Sequence, residues 1–140
     1  MPEQKLSERW LDEFHMGYLV CALWSSNDES DETGGNPVDD NFDIEHIHPD
    51  SMAKTREVCE DFLIANLEDL QEYAEKRLVA GSSGWECAGH DFWLTRNGHG
   101  AGFWDRGLGA LGDRLTKAAK VYGESNVWVE FEPAKVVYFE

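Results

Sequence analysis

At Gly81-Ser-Ser-Gly84 the apolar residues of this chain change their period, and that change constrains the fold more than any other feature. The stripe leading up to the break recurs at helical spacing; the segment directly after it alternates as in a strand. A chain of 140 residues with 41% apolar side chains can bury one real core. We therefore expect a single domain over 1–140 of α+β class.

Leu6, Trp10, Phe14, Tyr18 and Cys21 lie on one helical face, with Leu11 and Ala22 beside them and Ser7 placed as an N-cap. Residues 25–48 hold no period. They form a long acidic loop, expected to be mobile around 27–36, with turn chemistry at Gly34-Gly35-Asn36-Pro37. Phe42, Ile44 and Ile47 are expected to pin its second half to the body. Pro49 opens a second helix whose stripe runs through Met52, Cys59, Phe62, Leu63, Leu70, Tyr73 and Ala74. Unbroken, it would span ~45 Å, so a bend or break is expected near Asn66.

After the break, residues 89–96 alternate, Asn97-Gly98 has the composition of a tight hairpin turn, and residues 101–104 supply the returning arm. A third helix carries Leu108, Leu111, Leu115, Ala119 and Tyr122 and stops at Gly123. Its Gly109 and Gly112 suggest a close backbone approach. Residues 126–132 and 134–140 form two strands around Pro133. The expected order is α, loop, α, β, β, α, β, β, with an antiparallel four-stranded sheet of two hairpins packed against the helices.

The charge is uneven. There are 28 Asp and Glu against 12 Lys and Arg, giving −16, and residues 1–91 carry all of that excess. Such a field favours a positively charged partner and disfavours direct nucleic-acid binding, whose affinity comes from clustered cations. The same charge also serves solubility alone.

The densest chemistry lies in the Gly-rich segment 88–107, which holds two His, two Asp, two Arg, two Trp and two Phe. A two-residue turn would set Arg96 opposite His99 and His90 opposite Asp105; a four-residue loop would set Trp93 opposite Trp104 and Asp91 opposite Arg106. The candidate ligand- or partner-binding residues are His90, Asp91, Arg96, Asn97, His99, Trp104, Asp105 and Arg106. An imidazole oriented by Asp91 or Asp105 could move a proton, and Arg96 or Arg106 could clamp an anion. Equally, these charges could pair with one another while the tryptophans cover the core. A homodimer contact through Trp93 or Trp104 is a third use of the segment.

No catalytic residue, metal site or cofactor is assigned, because no nucleophile sits beside a base and no phosphate loop is present. His46-Ile-His48 has no second ligand pair at zinc spacing. Cys21, Cys59 and Cys87 fit reduced thiols of a cytosol, and neither a secretory signal nor a membrane span is expected.

Cys21-Ala-Leu-Trp-Ser-Ser26, Cys59-Glu-Asp-Phe-Leu-Ile-Ala-Asn66, the 88–107 string, Leu115-Thr-Lys-Ala-Ala119 and Tyr122-Gly-Glu124 resemble a family of small, mostly uncharacterised proteins. They are encoded by tailed double-stranded DNA bacteriophages and prophages, and the resemblance covers about Tyr18 to Glu124. It implies expression inside an infected bacterium and transfers no reaction. The resulting expectation is an acidic binding or inhibitory module acting on a host protein with a basic surface, with duplex mimicry as its sharpest form. The alternative is a small-ligand (nucleotide-like) binding protein or modest enzyme using 88–107.

Overall fold

The computed structural model describes residues 7–26, 37–40, 42–77, 83–98 and 100–140. Five helices come first: α1 (Glu8–Ser25), α2 (Pro49–Ala65), α3 (Leu67–Lys76), α4 (Gly84–Arg96) and α5 (Ala110–Lys120). A two-stranded antiparallel hairpin follows, β1 (Val127–Glu130) and β2 (Val136–Phe139). Short 3-10 turns occupy Val38–Asp40, Ile44–His46 and Phe103–Asp105. The fold is helix-rich α+β. The expected four-stranded sheet of two hairpins is not formed, since the only sheet among the described residues is the β1–β2 pair.

Residues expected as a strand, a tight turn and a returning arm form α4, a helix C-terminus and a 3-10 turn. Ser83 Oγ accepts the Glu86 N–H at 3.1 Å and starts the helix. Asn97-Gly98 ends it: Gly98 takes φ +68° just past the last turn, the left-handed position that glycine fills most readily. The helical period was invisible because α4 has almost no exposed face. Ala88, Gly89 and residues 91–95 are all buried, the polar Asp91 and Thr95 among them, and a helix enclosed on most sides shows no apolar stripe.

Two glycines let α1 and α4 touch backbone to backbone. A Cβ on Gly89 would lie 1.9 Å from the Phe14 carbonyl oxygen, and one on Gly17 would lie 2.1 Å from that of Glu86. Of the two glycines expected to allow a close approach near α5, Gly112 does, a Cβ there meeting the Phe103 carbonyl oxygen at 2.8 Å, whereas Gly109 faces open space at φ +60° before the helix. Around α4 the aromatic side chains interlock. Phe62 of α2 stacks on Phe92 at 4.1 Å between centroids, and Tyr18 meets Trp93 edge-on at 5.2 Å.

The anticipated break at Asn66 separates α2 from α3, with the Asn66 amide donating back to the Phe62 carbonyl at 3.0 Å. Val38, Phe42 and Ile47 are buried, and Ile44 packs against the core. The His48 N–H donates to the Val137 carbonyl, which holds this segment beside β2. The mobility expected at 27–36 concerns positions outside the described residues. In the hairpin, Val127 pairs with Phe139 and Val129 with Val137, and Phe139 reaches α2 through its N–H to Ser51 Oγ. Among the described residues, no helix is long and apolar enough to cross a membrane.

Candidate functional site

Of the eight candidate residues, Asp91 and Arg106 make the tightest pair. Asp91 lies on α4 with 1% of its surface exposed, and Arg106 follows the 3-10 turn at Phe103–Asp105. The Arg106 Nη2 donates to Asp91 Oδ1 at 2.7 Å and its Nε reaches both carboxylate oxygens at 3.2 Å. Tyr73 of α3 donates its hydroxyl to the other side of the same carboxylate. A charge this deep persists because it is paired and fully hydrogen-bonded; stranding it would cost about 3–5 kcal/mol. Burial and the adjacent carboxylate push the Tyr73 hydroxyl far above its usual pKa, so it remains a donor.

His90 sits one residue earlier, half-buried, its ring 5.9 Å from that of Trp24 on α1. It makes no hydrogen bond to Asp91 or Asp105 among the described residues, so the carboxylate-oriented imidazole is not assembled. Burial lowers its pKa, aided by Arg106 and Arg77 and opposed by Asp91, and the ring is neutral near pH 7. Cys87, one turn before it, has its thiol pKa raised, chiefly by burial. A neutral thiol beside a neutral imidazole is not an activated nucleophile.

Arg96 and Asn97 serve the fold. The Arg96 guanidinium donates to the Gly123 and Tyr122 carbonyls at 2.8 and 3.1 Å and to the Tyr18 hydroxyl at 3.0 Å, tying the end of α5 to α1. Asn97 donates to the Trp93 carbonyl and accepts the Ser125 N–H. Trp104 is 49% exposed and Asp105 is exposed beside it. His99 lies outside the described residues. The two histidines considered for zinc act as local caps: His46 Nδ1 accepts the Asp43 N–H and His48 Nδ1 accepts that of Asp50. Among the described residues, no group of three His, Cys, Asp or Glu could hold a metal ion.

His90, Asp91 and Arg106 meet at the wall of a cavity of about 270 Å³ between α1 and α4, together with Met16, Val20, Arg77 and Cys87. Nothing in the 88–107 segment points to the α1 side of this cavity. Met16, Val20 and Trp24 recur every four residues on the face away from the core stripe, which is the signal that could have found it. On the other side of Val20, a second concavity of about 400 Å³ has an apolar floor of Val20, Leu23, Phe42 and Ile44 and carries Asp39, Asp43 and Glu45 on its rim.

On α2, Glu57, Glu60 and Asp61 are exposed, then Ile64 and Ala65 interrupt the charge before Glu68. Compared with known proteins, the chain matches no family model, no curated protein and no solved structure.

Proposed function

We propose that this chain is a phage-encoded accessory module that binds a basic surface on a host protein in the cytoplasm of the infected cell and restrains that protein. The observation that carries the reading is the acid-rimmed concavity between α1 and the 3-10 turns at Val38–Asp40 and Ile44–His46. Its apolar floor and charged rim have the anatomy of a protein interface: a centre that loses its water, ringed by polar groups that choose the partner. Asp39, Asp43 and Glu45 are exposed, and none has a Lys or Arg partner among the described residues. Their charge is thus available to an incoming cation, and the −16 of the chain adds long-range attraction.

Duplex mimicry draws less support. The α2 carboxylates are broken by Ile64 and Ala65, whereas a duplex presents one charge per ~1.7 Å without interruption. Catalysis draws less support still, with the Cys87 thiol and His90 imidazole both neutral.

The test is affinity capture from bacterial lysate at rising salt, with the parent chain and a double variant, Asp39→Lys with Glu45→Lys. The expected result is a captured protein with a basic surface, released as salt rises from about 0.05 to about 0.5 M and held less well by the variant. A lysate that yields no salt-sensitive partner, or one retained equally by the variant, overturns the proposal.

A further inference from the structure

We infer that the groove between α1, α4 and the loop at 103–106 is a binding site for a small planar monoanion, an aromatic ring carrying one carboxylate. It shares only Val20 with the acid-rimmed concavity, and its partner is a small molecule rather than a protein. The cavity of about 270 Å³ lies at the small end of ligand sites, and beyond His90 and Arg106 it continues into a shallower hollow lined by Trp24, Leu94 and Ala101. That volume suits one or two fused rings.

One wall of the groove is apolar. Met16, Val20 and Trp24 are 45%, 47% and 58% exposed, three large apolar side chains on one side of a helix. Trp24 stands beside the His90 ring at 5.9 Å between centroids, the two planes tilted by 32°, and more than half of its surface is open. A flat ring is the shape that stacks on an open indole face and covers its apolar surface.

Arg77, at the end of α3, and Arg106 both line the cavity. Arg106 commits Nε and Nη2 to Asp91, and its Nη1 has no acceptor among the described residues. Among the described residues the Arg77 Nε is enclosed and meets no hydrogen-bond acceptor. A buried donor without an acceptor has lost its water without compensation, and a carboxylate brings what it lacks.

Charge decides between carboxylate and phosphate. The walls hold Arg77 and Arg106 against Glu86 and Asp91, a local sum of zero. One ligand charge is met by the unspent guanidinium donors. A phosphate dianion would bring a second charge toward Glu86 in a chain that already carries −16.

The experiment is calorimetric titration of the whole chain with indole-3-carboxylate, with indole, acetate and adenosine monophosphate as comparators. Saturable one-to-one binding of indole-3-carboxylate is expected, at least about tenfold tighter than indole or acetate. Arg77→Gln and Trp24→Ala should each weaken it by about tenfold or more while leaving the unfolding midpoint unchanged, since neither side chain holds the core together. Absence of saturable binding, or binding indifferent to both variants, overturns the site. Tighter binding of adenosine monophosphate overturns the ligand class.

Discussion

Among the described residues histidine has three different uses, told apart by the partners each ring meets. His46 and His48 cap turns, His90 forms part of a groove wall, and His15 is locked inside, its Nε2 2.7 Å from Thr55 Oγ1 on α2. Burial, with Arg56 nearby, lowers the His15 pKa to about 4. The ring is neutral in the fold, whereas in the unfolded chain it takes a proton below about 6.5. Stability is therefore lost as pH falls from about 6.5 toward about 4, and is fully present above that window. His15→Gln, which can still bond Thr55, should lose about 2 kcal/mol less than the parent between pH 7 and 4.5, measured by urea unfolding at both values. Parallel losses would show that His15 is not held neutral. The pairing of Asp91 with Arg106 was one of two alternatives open in the sequence, drawn there across a hairpin that does not form. Residue chemistry was misleading where donors turn to backbone carbonyls. Arg96 and Asn97 have the composition of a ligand site and spend it on the end of α5.

Elements with a wet face could be found from spacing alone. The stripes of α1, α2 and α5, the break at Asn66 and the C-terminal hairpin all follow from spacing or from turn residues. α4 could not be found that way, because side chains surround it and its glycines serve contact rather than turning. That difference can be measured. Gly89→Ala places a methyl group into the Phe14 carbonyl and should cost about 2–3 kcal/mol or more, while Gly98→Ala, open to space but at φ +68°, should cost about 1 kcal/mol. Chemical denaturation of the two variants gives the order. A hairpin would reverse it, making the turn glycine the sensitive one.

The charge of the whole molecule works against its compactness. Among the described residues only Asp12, Glu13, Asp69, Glu72 and Asp91 meet a Lys or Arg, so most carboxylates repel one another across the surface. Raising ionic strength from about 0.01 to about 0.15 M shortens the screening length from about 30 to about 8 Å and should raise the Tm. A falling Tm would mean that local ion pairs outweigh the repulsion, and would take away the basis of field-driven binding. The union of α1 with α4 has a further consequence, one of timing. At a ribosomal rate of about 5–20 residues per second, the roughly seventy residues separating Gly17 from Glu86 take several seconds to emerge. Throughout that interval Phe14 and Tyr18 have no α4 to cover them. The nascent chain must therefore remain soluble on its own carboxylates or on a chaperone until its last partner helix arrives.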